Sequence, residues 1–288
     1  MRICLFWSER AGEGISLDEI SSLLERHGHH VARIVDKTGD LPHKLDGSFD
    51  CVVTAGGDGT VARAGRALAG GDIPLGILPM GTANNIASSL GLSGNPSDLI
   101  ASWANRRVMH IDIGTIHDAH GETRFLEGVG VGLIAAGITE GRAAISKNEE
   151  DAAARLAHAR ELFLQTIERL VPQHHTITID GTVVDGEYLL IEVLNIPSVG
   201  PNVRLSADIS AADGLLSLVV AGESDRRAIA AYLRGQPGGV EDAGLKSWRG
   251  SRVELKGLYD YHVDDEVRAA GGGAVVIGVT PLSLGVLA

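Results

Sequence analysis

The run Cys51-Val52-Val53-Thr54-Ala55, followed at once by Gly56-Gly57-Asp58-Gly59-Thr60, constrains this chain more than any other stretch. A short apolar run closed by glycines reads as a buried strand. A helical pattern begins at Thr60 and runs to about Leu68. A strand that feeds a helix through a glycine turn is a building unit of parallel α/β sheets. The flanking segments repeat the alternation. Residues 2–7 predict a strand. Leu17, Ile20, Leu23 and Leu24 predict a helix over Leu17–His27, with Gly28 as its stop. Val31–Val35 and Leu75–Leu78 predict strands, and Asn84–Leu90 a helix. The expected first domain, residues 1–110, is therefore α/β with a parallel sheet.

The glycine loop is also a candidate phosphate cradle. Glycines leave no side chain between backbone and ligand, and the amides opening the next helix point into the same space. Asp58 would repel a phosphate unless a cation lay between them, which suggests Mg²⁺. The same residues also fit an ordinary strand-to-helix turn with Asp58 as a helix cap. No Gly-Lys-Ser/Thr follows, so the loop is not a Walker loop, and Gly-x-Gly-x-x-Gly is absent from it. A second such turn lies in Gly76-Ile77-Leu78-Pro79-Met80-Gly81-Thr82-Ala83-Asn84-Asn85, where Thr82 and Asn84 are short polar residues at a helix start. Turns after neighbouring parallel strands open on one sheet edge, where ligands bind.

Beyond residue 110 the signals become short strands and tight turns. Thr176–Asn195 reads as a hairpin turning at Asp180-Gly181 or Asp185-Gly186, and Leu215–Ala221 and Arg252–Leu258 as strands. One helix, about Glu149–Leu170, interrupts them and is closed by Pro172. A β-rich domain is expected over 111–270, with a tail over 271–288 that returns to the first domain. Aromatic content of 4% disfavours base-stacking platforms, and a net charge of −12 disfavours nucleic acid and strong attraction to anionic lipid. Cys4 and Cys51 read as buried free thiols. The first residues lack the apolar run of a signal peptide, and no stretch approaches the ~18–20 apolar residues of a membrane span. A cytoplasmic protein is expected, one that reaches a membrane only peripherally. The grouped histidines His27/His29/His30, His117/His120 and His174/His175 have no ligand partners at zinc spacing and read as surface groups.

Taken together, Gly-Gly-Asp-Gly-Thr and Leu-Pro-Met-Gly-Thr-Ala-Asn-Asn resemble the diacylglycerol kinase catalytic-domain family, which includes bacterial lipid kinases and sphingosine kinases. The likeness continues in order through Ile111-Asp112-Ile113-Gly114, Glu127-Gly128-Val129-Gly130-Val131-Gly132, Asp213-Gly214-Leu215-Leu216 and Val263-Asp264-Asp265-Glu266. The resemblance implies an NAD-kinase-like α/β domain, a β-sandwich domain, and ATP and substrate held in a cleft between them. It implies that Gly56, Gly57, Asp58, Gly59, Thr60, Gly81, Thr82 and Asn84 hold nucleotide. It places Asp58 and Asp112 near Mg²⁺ and makes Glu266 the proton acceptor. It puts a structural Mg²⁺ at Asp213 with the carbonyls of Ser210 and Leu215. Three departures stand out: Trp7-Ser8-Glu9-Arg10-Ala11-Gly12 replaces the usual Asn-Pro-x-x-Gly opening, Asn85 replaces an aspartate, and Asp265 replaces a glycine.

The expected function is an ATP- and Mg²⁺-dependent kinase acting on a diacylglycerol-like lipid hydroxyl during transient contact with a membrane surface. Asp58, Asp112 and Glu266 are its expected catalytic carboxylates. A homodimer is compatible with this reading. The alternatives are an NAD kinase-like enzyme, which shares Gly-Gly-Asp-Gly-Thr, and a non-catalytic nucleotide- or lipid-binding protein.

Overall fold

A computed structural model describes the chain except for residues 9–14, 37–38, 40–47, 106, 145–151, 207, 236–244, 258–259 and 270–272. Glu9–Gly12 of the divergent opening loop therefore lie outside the described residues. The fold divides into two compact units, Met1–Ile111 with Leu282–Ala288, and Asp112–Pro281.

The first unit carries strands β1 (Arg2–Trp7), β2 (His30–Asp36), β3 (Cys51–Gly56) and β4 (Leu75–Pro79) in the order β2-β1-β3-β4, all parallel. Parallel strands are covered on both faces, so they read as continuous apolar runs. Every residue of β3 is buried accordingly. Helix α1 (Leu17–Arg26) opens with a capping box, in which Ser16 Oγ accepts from the Glu19 amide at 3.3 Å and the Ser16 amide donates to the Glu19 carboxylate at 2.7 Å. Helix α2 (Asp58–Leu68) starts two residues before the expected Thr60. Helices α3 (Asn85–Ser89) and α4 (Pro96–Ser102) follow. The sequence reading passed over α4, although Asn95 caps it and Pro96 opens it, a standard start signal.

The second unit is a β-sandwich with a helical layer. Strand β5 (Val108–Asp118) enters it and pairs with β6 (Gly121–Phe125). Then come β7 (Gly128–Gly132), α5 (Leu133–Ala144), α6 (Ala152–Arg169), β8 (Gln173–Ile179), β9 (Thr182–Tyr188) and β10 (Leu190–Leu194). A short ribbon of β11 (Ser198–Val199) and β12 (Val203–Arg204) precedes β13 (Leu216–Ala221), α7 (Arg226–Leu233), β14 (Lys246–Gly250) and β15 (Arg252–Lys256). The chain closes with β16 (Asp260–Val263), β17 (Glu266–Ala269) and β18 (Val275–Leu287). One antiparallel sheet runs β14-β13-β10-β7-β16-β17. Facing it, β15 pairs with β18 on one side and β8 on the other, and β8 pairs with β9.

Alternation sorts the strand residues between two cores. Val129, Val131, Ile191, Val193, Tyr261 and Val263 face the other sheet across the sandwich, whereas Leu190 and Leu194 join Leu133, Phe163 and Ile167 under the helices. The hairpin turns at Asp180-Gly181, with φ of +42° and +86°, the positive pair that a two-residue hairpin turn favours. Asp185-Gly186 lies inside β9 instead, and β10 belongs to the other sheet. Helices α5 and α7 are additions to the expected short strands. Leu133-Ile134-Ala135-Ala136-Gly137-Ile138 has no polar stripe to give a helical period away, and it follows β7 without punctuation. The expected 271–288 tail is a strand whose start pairs with β15 and whose Val286 pairs with Leu75.

Gly114 stands opposite Phe125 in the β5–β6 register, and a Cβ at Gly114 would stand only 2.1 Å from Cζ of the Phe125 ring. Gly114→Ala is expected to destabilise the second unit by about 1–3 kcal/mol, the usual cost of forcing an extra carbon into a packed site. Urea denaturation followed by circular dichroism measures this.

Candidate functional site

In the first unit the two glycine loops are closed on each other. The Met80 amide donates to the Gly56 carbonyl at 2.9 Å. A Cβ on Gly57 would stand 3.0 Å from the Gly81 Cα, so backbone lies on backbone there. Thr60 is buried, and a Cβ on Gly56 would come within 2.5 Å of its Oγ1. Asn84 is left-handed at φ +53° and closes a ring with Gly81, accepting from its amide at 2.8 Å and donating to its carbonyl at 2.9 Å. Thr82 is half-buried between them.

Asp58 links the loops in a way the sequence left open. It does not cap α2; its Oδ1 accepts from the Ile86 amide at 2.9 Å, at the start of α3. Burial pushes its carboxyl above the usual carboxylate range, against the pull of amides from Ile86, Asn85 and Asn84. A desolvated carboxylate beside a glycine loop is suited by charge to a hard cation.

In the second unit the predicted residues converge on one hydrogen-bonded network. Asp112 is fully buried; its amide donates to the Ala211 carbonyl at 2.6 Å, and its Oδ2 accepts from the Gly214 amide at 2.7 Å. The Asp213-Gly214 turn is thereby tied to Asp112. Asn195 Nδ2 donates to the carbonyls of Asp112 and Leu126, both at 3.0 Å, and its own amide donates to Glu127. Asp264 Oδ1 accepts from the amides of Leu126 at 3.0 Å and Glu127 at 2.8 Å, and its amide donates to Gly128 at 2.9 Å. Glu266 follows two residues on, across a turn whose ends Val263 and Glu266 pair. Its side chain is half exposed and lies 3.8 Å from the Arg268 guanidinium.

Asp213 is held by its own turn and by Arg249. Its Oδ1 accepts from the Leu215 amide at 3.1 Å and its Oδ2 from Arg249 at 2.5 Å. Ser210 Oγ accepts from the Ala212 amide at 3.3 Å. A cation at Asp213 would compete with that guanidinium for Oδ2. Among the described residues, no three His, Cys, Asp or Glu side chains form a metal-ligating group. The departure at Asp265 leaves the backbone relaxed: Asp264, at φ +50°, takes the left-handed position and Asp265 does not.

Four residues of this network escaped the sequence reading: Asn195, Arg249, Glu192 and His262. Glu192 and His262 are fully buried, and Nε2 of His262 lies 3.0 Å from the Glu192 carboxylate. A lone carboxylate inside the apolar run Leu-Ile-Glu-Val-Leu was the available signal. Burial is the largest influence on both groups. It pushes the Glu192 carboxyl up and pulls the imidazole down, but the Glu192 carboxylate and Asp264 outweigh it and leave His262 raised. A separate cleft of about 460 Å³, lined by Val131, Ala135, His175 and Tyr188, holds none of the predicted site residues.

Comparison with known proteins agrees with this architecture. Residues 3–116 match the diacylglycerol kinase catalytic domain, and residues 132–288 match the YegS C-terminal NAD kinase beta sandwich-like domain. The chain belongs to the diacylglycerol kinase and YegS-like lipid kinase family. It is 29% identical over 231 residues to a diacylglycerol kinase of Mycobacterium tuberculosis, covering 75% of this chain and 72% of that protein. It is 30% identical over 178 residues to a diacylglycerol kinase of Bacillus subtilis, covering 60% and 55%. A crystal structure of a diacylglycerol kinase from Bacillus anthracis superposes with a TM-score of 0.73 at 18% identity, covering 99% of this chain and 96% of that one. An NAD kinase from Archaeoglobus fulgidus in complex with ATP superposes with a TM-score of 0.56 at 13% identity, covering 100% and 94%. These superpositions establish a shared fold: an α/β unit with a parallel sheet and an NAD-kinase-like β-sandwich.

The cap role of Asp58 separates two substitutions. Asp58→Asn keeps an oxygen for the Ile86 amide and is expected to stay within about 0.5 kcal/mol of wild type, whereas Asp58→Ala loses about 0.5–2 kcal/mol. Urea titration of the three proteins checks the order.

Proposed function

We propose that the chain transfers the γ-phosphate of ATP to the hydroxyl of a diacylglycerol-like lipid. The observation that carries this reading is the network joining Asp112, the Asp213-Gly214 turn and the Asp264-Asp265 turn before Glu266, set within the fold of a lipid kinase family. Phosphoryl transfer asks little covalent chemistry of a protein; it asks for alignment, charge neutralisation and a base for the attacking hydroxyl.

In this reading the backbone of Gly56, Gly57 and Gly59 and the Gly81-Thr82 turn hold the ATP phosphates, with Thr60 and Asn84 shaping the loops from within. Asp58 in the first unit and Asp112 in the second are each a proposed Mg²⁺ ligand, and the ion would supply neutralising charge when bound. Glu266 takes the proton of the lipid hydroxyl as that oxygen bonds to the γ-phosphorus, while the bond from the γ-phosphorus to the bridging oxygen breaks and ADP leaves. A carboxylate is a weak base toward an alcohol, so its effect rests on placement. The lipid is met transiently, at a membrane surface. No helix among the described residues is long and apolar enough to cross a membrane.

Glu266→Gln is expected to lower kcat by about 10²–10⁴-fold, the usual worth of a general base, with the KM for ATP little changed. Asp265→Gly should be tolerated, because Asp265 is not the left-handed residue of its turn. A Glu266→Gln enzyme within a few-fold of wild type would place the base elsewhere. In the first unit, Asp58→Asn should abolish metal-dependent use of ATP while the protein stays folded, read as loss of Mg²⁺-supported turnover.

A further inference from the structure

Beneath α5, which packs on β7, β16 and β17, the helix-covered face of the second sheet carries a polar row in an otherwise apolar layer. Glu192 on β10, Gly130 on β7 and His262 on β16 are register partners across three adjacent strands. The side chain of Glu192 lies over Gly130, where a Cβ would collide with its carboxylate, and so reaches His262 on the far strand. Both side chains have no solvent exposure. Glycine at 130 is thus the condition for the contact.

The other ring nitrogen fixes the direction of the device. Nδ1 of His262 lies 2.9 Å from the carbonyl of Asp264. A carbonyl only accepts, so Nδ1 must carry a proton and donate it. Asp264 is the left-handed residue of the turn before Glu266. Its amide is held by Gly128 and its carboxylate by Leu126 and Glu127, while Arg142 donates to the Asp265 carbonyl at 2.6 Å. The imidazole supplies the hold on the Asp264 carbonyl, and Glu192 fixes the ring that makes it.

A buried carboxyl–imidazole pair is costly to desolvate, and apolar residues of similar volume often replace buried polar pairs without loss of stability. A pair in this position therefore calls for a reason other than stability. We propose that Glu192 and His262 are positioning residues for Glu266, a clamp that sets the turn presenting the base. The proposal rests on the reading of Glu266 as proton acceptor.

The test uses the full chain, ATP, Mg²⁺ and the best lipid acceptor, at a temperature where circular dichroism shows every variant folded. Glu192→Leu/His262→Leu should stay folded with a lowered urea midpoint, because the buried Asp264 carbonyl loses this donor, and lose roughly 10- to 100-fold in kcat, the scale of a small misplacement of a reacting group, with KM for ATP unchanged. Glu192→Gln still offers a partner to Nε2 and should stay within about threefold of wild type. In a Glu266→Gln background the double Leu change should add nothing, because the clamp acts only through Glu266. A folded double Leu variant with wild-type kcat would overturn the proposal, as would an undiminished further loss in the Glu266→Gln background. If the double Leu variant does not fold, a tenfold or greater loss in folded Glu192→Gln would overturn it, and wild-type-like turnover would support it. A fully active Glu266→Gln enzyme would instead remove the reading of the base on which the proposal stands.

Discussion

The first unit depends on two backbones lying against each other. Gly57 and Gly81 stand close enough that a side chain on either would push the loops apart. The Met80–Gly56 bond and the Asp58–Ile86 bond then cross between the loops. Because β3 and β4 are parallel neighbours, their following turns emerge on one edge, and these contacts lock them into a single surface. Asn84 closes its ring on Gly81 and Thr60 is buried against Gly56, so both side chains shape the loops.

The second unit meets its constraint with buried polar groups. Asp112, Glu192, Asn195, His262 and Asp264 are all buried within or beside a β-sandwich. Each unsatisfied polar atom in such a place costs about 1–3 kcal/mol, so the network is favourable only when its donors and acceptors are matched. Main-chain amides meet most of that demand: Gly214 serves Asp112, and Leu126 and Glu127 serve Asp264. The turn before Glu266 is fixed through the main chain while the Glu266 carboxylate stays half exposed. That combination, a rigid support and an accessible carboxylate, is what a proton acceptor requires.

The fold class was legible because its signals are local. Buried parallel strands such as Cys51–Gly56 are continuous apolar runs, and Leu17, Ile20, Leu23 and Leu24 with the stop at Gly28 mark a helix in sequence. Helix α5 was not legible, since a helix covered on several sides has no polar stripe. The strand Gly128–Gly132 was readable as close-packed, but what packs on Gly130 was not, because Glu192 and His262 are 70 residues apart. The motif residues told where chemistry is to be expected. They did not tell that Asp58 caps α3 or that Arg249 holds Asp213, as both partners lie far along the chain.

The central claim is phosphoryl transfer from ATP to a lipid hydroxyl, and one assay tests it most directly. The protein is incubated with γ-labelled ATP and Mg²⁺ against diacylglycerol and other hydroxyl-bearing lipids in vesicles, with NAD as a soluble acceptor in parallel. The account predicts label in the organic phase as a lipid phosphate monoester and none in NAD. Label in NAD, or no transfer to any lipid from a folded protein that binds ATP, would contradict it.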